Sequence, residues 1–345
     1  MTYLQKPHAL QPGDTVALVS PSSGLAGEAE IQHRVNTAIK RLEEDFQLKV
    51  KIMPYALKGI DYVQHHPQKR AEDLNNAFAD PTIKAIITFI GGIDSIRVTE
   101  YLDTDIIKNN PKIFMGYSDA TSLHLFLYQQ GIASFYGPAI LTDFAENVEM
   151  DDYTTHWIRQ TLFQSEPVGN IPTSPYCRRF GLLWHERTHT TPRPKIENHN
   201  YEIINGVGRA TGQLLGGCIE SLNSIKETPI FPDADAFKDK ILFLENSEEP
   251  LSVPLLAEFI EFLGTKQILK NVNGIIIGKP QNGEGYESYK RTWQAMLENF
   301  NLHDTPVFYN ASFGHNEPKC IIPYGATASL DVDAQTFTIH DNACK

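Results

Sequence analysis

Short apolar runs alternate with longer stretches in which apolar positions recur every three or four residues, and this alternation organises the first half of the chain. Residues 15–20 (TVALVS) read as a buried strand that ends in a Pro-Ser-Ser-Gly loop. Residues 28–46 place Ile31, Val35, Ile39 and Leu42 at helical spacing. Residues 48–53 alternate as a strand, and residues 68–79 read as a helix closed by Asp80-Pro81. A strand at 85–90 runs straight into Gly91-Gly92, 95–101 is helical, 112–115 is a strand and 121–130 a helix. Strands separated by helices of about ten residues imply βαβ units and a parallel sheet. Ligands of such sheets sit beyond the strand C-termini, which here means the loops at 20–24, 91–94 and 116–119.

The pattern breaks between about 164 and 200, where Pro167, Pro172, Pro175, Pro192 and Pro194 punctuate a stretch rich in Arg and His. It reads as an inter-domain connection and a candidate substrate-contacting loop. Regular patterning then resumes. A segment at 206–215 leads to the Gly216-Gly217 pair and a helical 219–225. Strands follow at 240–244 and 274–278, helices at 255–263 and 289–299, and further strands at 306–309 and 326–330. The division expected is 1–165 as an N-terminal α/β domain, 166–200 as a connecting loop, and 201–345 as a second α/β or α+β domain.

Composition narrows the function classes. Among 345 residues there are 41% hydrophobic and 21% charged residues, with 3 Trp, 14 Tyr and 18 Phe, which suits a folded globular protein rather than a disordered one. A net charge of −12 argues against a nucleic-acid backbone as the main partner, but leaves a small nucleotide open. The N-terminus lacks the basic and apolar regions of a signal peptide, and no apolar run is long enough to span a membrane, so a cytoplasmic location and no membrane partner are expected. Cys177, Cys218, Cys320 and Cys344 have neither zinc-site nor disulfide spacing. His65-His66, and His185, His189 and His199 in the irregular stretch, do not form an H-E-x-x-H order. No metal and no cofactor are expected.

The sharpest chemical feature is Ile113-Phe-Met-Gly-Tyr-Ser-Asp-Ala-Thr121, where a strand enters Gly116-Tyr117-Ser118 and a helix follows at once. A nucleophile elbow has this context, with Ala120 standing where that pattern usually has glycine. The alternative is that Ser118 or Asp119 caps the helix. Gly91-Gly92 allows close backbone approach to a ligand or an oxyanion, and equally suits a tight turn. Glu245 stands at the end of a strand, and His315 lies in a Gly/Ser/Asn-rich loop. Neither is informative alone.

In order, the chain carries Ser20-Pro-Ser-Ser23, Gly91-Gly92, Gly116-Tyr-Ser-Asp-Ala-Thr-Ser-Leu-His124 and Tyr136-Gly-Pro138. These are followed by Gly212-x-Leu-Leu-Gly-Gly-Cys-Ile-Glu-Ser-Leu222, Leu242-Phe-Leu-Glu245, Gly278-Lys-Pro280 and Gly314-His315. This series resembles the serine LD-carboxypeptidase family, which includes the microcin C self-immunity proteins. The resemblance implies an N-terminal parallel-sheet domain of the flavodoxin or class I amidotransferase kind plus a second domain, with a Ser-Glu-His triad at their interface. It implies Ser118 as nucleophile, Glu245 as acid and His315 as base, with Gly92 and Asp119 supplying the oxyanion hole. The long interval from Ser118 to Glu245 and the Gly-Gly-Cys-Ile-Glu segment resemble the self-immunity branch. That branch stacks aromatic residues on a nucleotide base, for which Trp184 in the connecting loop and Tyr201 are the matching positions; Tyr201 stands where the branch typically has tryptophan. Asn246 departs from the Asp that often follows the acid. The substrate implied is a peptidyl- or aminoacyl-nucleotide, the alternative being a murein tetrapeptide, and a homodimer is implied as well. A non-catalytic binding protein on the same fold is the competing class.

Overall fold

The computed structural model describes residues 4–179 and 182–345. The strands are, in chain order, β1 (Thr15–Val19), β2 (Lys49–Ile52), β3 (Ile83–Thr88), β4 (Ile113–Gly116), β5 (Phe135–Tyr136), β6 (Pro167–Asn170), β7 (Tyr176–Arg178), β8 (Lys195–Glu197), β9 (Glu202–Asn205), β10 (Arg209–Cys218), β11 (Lys240–Glu245), β12 (Gly274–Gly278), β13 (Val307–Ala311), β14 (Ile322–Pro323), β15 (Thr327–Asp331) and β16 (Thr336–Asn342). A six-stranded sheet has the order β14-β5-β4-β3-β1-β2, and an eight-stranded sheet the order β6-β16-β15-β10-β11-β12-β13-β9. Strands β1 to β5 pair in parallel, as do β10 to β13. The near-continuous apolar runs of β1, β3, β4, β11 and β12 follow from helices covering both faces, whereas β2, at the sheet edge, alternates Lys with Val and Ile. The mixed α/β architecture is the one the sequence pattern implies.

Several local expectations shift. Residues 28–46 begin with one 3-10 turn (Ala29–Ile31), and the α-helix proper is Gln32–Glu44. Ser95–Tyr101 is a 3-10 helix throughout. The Gly216-Gly217 pair lies inside β10 rather than beyond it, because only a residue without a side chain fits there. A Cβ on Gly216 would lie 1.7 Å from the Phe243 carbonyl oxygen, and one on Gly217 would meet the Thr121 side chain at 2.5 Å. The irregular stretch at 164–200 contributes β6 to the edge of the larger sheet and β7 and β8 to a small hairpin.

Several contacts join the halves of the molecule near the strand C-termini, two of them through the backbone. β14, from the second half of the sequence, pairs antiparallel with β5. The Cys218 N–H donates to Thr121 Oγ1 at 3.1 Å. The C-terminal ends of β4 and β11, which carry Gly116 and Glu245, therefore face a common space.

Candidate active site

Ser118 follows β4 at the sharp turn into a 3-10 turn (Ser118–Ala120) and the helix Thr121–Gln129. Its φ is 64°, a left-handed conformation that non-glycine residues rarely hold and that marks a strained elbow. Several bonds fix it. The Ser118 N–H donates to the Tyr136 hydroxyl at 3.0 Å, and Thr121 Oγ1 donates to the Ser118 carbonyl at 2.7 Å. His124 Nε2 donates to the Gly116 carbonyl at 2.9 Å, and burial lowers this imidazole to about 3, so it is a neutral structural group. Neither Ser118 nor Asp119 makes a side-chain cap bond to the helix. The Asp119 carboxylate instead accepts from Ser22 Oγ and from the Ser95 N–H at 2.7 Å, tying the Ser20–Gly24 and Gly91–Ser95 loops to the elbow. Gly91 must be glycine for this approach, since a Cβ there would lie 2.7 Å from Ser118 Cβ and 2.8 Å from its Oγ.

Glu245 ends β11 fully buried, and His315 follows Gly314 in the loop after β13. Glu245 Oε2 accepts from His315 Nδ1 at 2.8 Å and from the His315 backbone N–H at 3.0 Å. Its other oxygen accepts from the Tyr136 hydroxyl. The far ring nitrogen of His315, Nε2, donates to Glu248 Oε2 at 2.9 Å. Burial alone would lower the imidazole, but Glu245 and Glu248 outweigh it and push it up to about 10. Tyr117 packs edge-on against the His315 ring at 4.8 Å, with the buried Lys319 ammonium 3.8 Å from the other ring centre. Lys319 is in turn 3.2 Å from Asp143 and 3.6 Å from Glu317. Burial works against ionisation of Glu317, yet Arg193 and Lys319 hold its carboxyl well below the usual range.

Ser118, His315, Gly91, Gly92, Glu248, Glu317 and Trp184 line one cavity. The structure thus brings six of the seven expected site residues to one place, five of them Ser118, Glu245, His315, Gly92 and Asp119. Trp184 joins them from the connecting segment, half-buried, with the Arg34 guanidinium 4.4 Å from its ring centre. Tyr201 does not join them. It is 8% exposed, tilts against Phe308 at 5.5 Å and donates its hydroxyl to the Ile171 carbonyl at 2.7 Å. It is a core residue because the start of β9 packs inward against β13 at the far edge of the sheet.

Cys218 Sγ, a Glu245 oxygen and a His315 ring nitrogen lie within 4.8 Å of one another. The chemistry of this group suits a cation poorly. Burial, then Glu245 and Glu220, push the Cys218 thiol far up, and it donates to Glu220 Oε2 at 3.3 Å, so it is not the thiolate that metal binding needs. Tyr136 and Glu248 are further residues of the site that the sequence does not mark individually. Tyr136 sits in the Tyr-Gly-Pro motif, whereas Glu248 had no signal beyond its nearness to Glu245.

A serine in a strained strand-to-helix elbow, facing a buried imidazole–carboxylate pair across one cleft, is the arrangement of a serine hydrolase. Residues 16–137 match the LD-carboxypeptidase N-terminal domain and residues 211–330 the LD-carboxypeptidase C-terminal domain. The solved structure of an MccF-like protein from Streptococcus pneumoniae in complex with AMP is similar with a TM-score of 0.89 at 32% identity, covering 96% of this chain and 99% of that one. The Microcin C7 self-immunity protein MccF of Escherichia coli is 27% identical, covering 79% of this chain and 78% of its own. The "Probable murein peptide carboxypeptidase" of Bacillus subtilis (strain 168) is 28% identical over 97% of this chain and 94% of its own. The chain belongs to the LD-carboxypeptidase family and is a serine peptidase. No helix among the described residues is long and apolar enough to cross a membrane.

Proposed function

We propose that this chain hydrolyses the acyl bond joining an amino acid or short peptide to a nucleotide, through an acyl-enzyme formed on Ser118. In this reading His315 Nε2 takes the Ser118 hydroxyl proton as Oγ attacks the acyl carbon, and Glu245 fixes the ring tautomer and stabilises the imidazolium. The backbone N–H groups of Gly92 and Asp119 receive the oxyanion, a donor of this kind being worth about 2.7–4 kcal/mol of barrier. The imidazolium returns its proton to the leaving group. Water, deprotonated by His315, then releases the acyl group and restores the serine.

The observation that carries the nucleotide reading is Trp184. It offers an aromatic face backed by the Arg34 guanidinium in the same cavity as Ser118 and His315. Such a face stacks on a base at about 1–3 kcal/mol, whatever the base identity. The relative from Streptococcus pneumoniae, solved with AMP, supports the same reading. A murein tetrapeptide is the second reading, supported by the Bacillus subtilis relative.

The test offers an aminoacyl-sulfamoyl adenosine and a murein tetrapeptide to the same preparation. Cleavage of the first, abolished in Ser118→Ala, is the expected result. Cleavage of the tetrapeptide alone would overturn the nucleotide reading, and a Ser118→Ala variant as active as the parent would remove the serine from the mechanism.

A further inference from the structure

Tyr136 bridges the two halves of the site. Its hydroxyl accepts the Ser118 N–H at 3.0 Å and donates to Glu245 Oε1. The nucleophile turn comes from the six-stranded sheet and the carboxylate from the eight-stranded one, so this one side chain ties the two across the domain boundary. Tyr136 is fully buried in β5, with its ring 5.5 Å from Phe243 and 5.7 Å from His124.

The division of labour at Glu245 is unequal. Oε2 is held twice by His315, from the ring and from the backbone. Among the described residues the donor to Oε1 is Tyr136. A buried carboxylate oxygen without a donor is costly, so each oxygen is held by the partner it finds. Burial, followed by the Glu245 charge, pushes the tyrosine hydroxyl far up, so it keeps its proton and can serve here only as a donor.

We propose that Tyr136 is a positioning residue for the hydrolytic reaction, orienting Glu245 toward His315 while pinning the Ser118 turn through its backbone N–H. The proposal rests on the triad reading above. Two consequences follow. As His315 gains a proton in the transition state, the Tyr136 donor holds the Glu245 carboxylate in place against the ring nitrogen. The same hydroxyl sets the elbow geometry, so that loss of it displaces Ser118 and Glu245 together.

The test is Tyr136→Phe, which keeps the ring and its packing. Removing a hydrogen bond to a charged group predicts kcat lower by about 10- to 100-fold with little change in KM. The acid limb of kcat/KM moves to higher pH by about one unit, because the Glu245–His315 pair binds a proton more readily without the donor. A kcat and pH profile equal to the parent's would overturn the proposal. So would a lower kcat with an unmoved acid limb, since a merely structural role produces that. Should Tyr136→Phe fail to fold, 3-fluorotyrosine at position 136 keeps the volume and strengthens the donor. The acid limb should then move to lower pH, and an unmoved limb would again overturn the proposal. Ser118→Ala assayed in parallel separates the two ideas: an inert Ser118→Ala beside an unaffected Tyr136→Phe removes Tyr136 alone, whereas an active Ser118→Ala removes the triad reading beneath it.

Discussion

His315 Nε2 donates to Glu248 Oε2 at 2.9 Å, so the nitrogen that would take the proton of Ser118 is engaged by a second carboxylate. Glu248 stands in the loop after β11 with its side chain 55% exposed, while the imidazole it meets is buried. The two carboxylates favour the imidazolium form of the ring, which cannot act as a base. In the proposed mechanism, proton transfer from Ser118 would require Glu248 to leave.

This relationship sets a pH prediction. Glu248→Gln removes one of the two carboxylates that push His315 up to about 10. The acid limb of kcat/KM should move to lower pH, and activity at neutral pH should rise by roughly ten-fold for each unit moved. Stability should respond in the opposite sense. A raised imidazole stabilises the fold fully below its ordinary value of 6.5, and that contribution is lost as pH rises through about 10. The parent's Tm should thus decline across that window more steeply than the variant's. Superimposable pH–rate profiles would show that Glu248 does not govern the base.

Gly314 supplies a second prediction. Its φ is 83°, and a Cβ there would lie 2.4 Å from Glu245 Cδ. Gly314→Ala should cost about 1–3 kcal/mol of stability from backbone strain. It should also lower kcat by roughly 100-fold, the effect expected of misplacing a reacting group by about 1 Å. Gly13→Ala is the matched control: φ is 91°, but no atom lies within 4 Å of the added Cβ. It should lose only the backbone-strain part of that stability, measured by denaturant unfolding, and keep full kcat. Equal kcat in the two variants would dissociate Gly314 from the site.

The legible parts of the site were those written in local sequence. The turn at Ser118 could be read because strand, glycine and helix are contiguous, and the buried runs of β1, β3, β4, β11 and β12 announce a parallel sheet by themselves. Glu245 and His315 could not be paired from spacing. His315 is one of twelve histidines, and what distinguishes it is a loop that folds back onto a strand 70 residues earlier. They emerged only from the order of motifs along the chain. Glu248 depends on the path of an irregular loop, which no periodicity encodes. The resemblance assigns Tyr201 to the site because it stands where the self-immunity branch typically has tryptophan, whereas its position is decided by the inward packing of β9 against β13.

Tyr201→Phe tests that placement. The hydroxyl donates to the Ile171 carbonyl at 2.7 Å. Losing the donor leaves a buried carbonyl unpaired at a cost of about 1–3 kcal/mol. Chemical denaturation should therefore show a lower midpoint, with kcat and KM unchanged for either substrate. A raised KM for the nucleotide substrate would return Tyr201 to the binding site.

Trp184 separates the two substrate readings. If its ring stacks on the base of a peptidyl-nucleotide, Trp184→Ala removes about 1–3 kcal/mol of binding and raises KM by roughly 5- to 150-fold. Trp184→Phe, which keeps an aromatic face above Arg34, should recover most of that loss. The loss should appear in KM rather than kcat, because Trp184 meets the leaving group and not the reacting carbon. A murein tetrapeptide carries no base, so hydrolysis of it should respond little to either variant. A Trp184→Ala enzyme that kept the parent KM for an aminoacyl-sulfamoyl adenosine would leave the nucleotide reading without the observation that carries it.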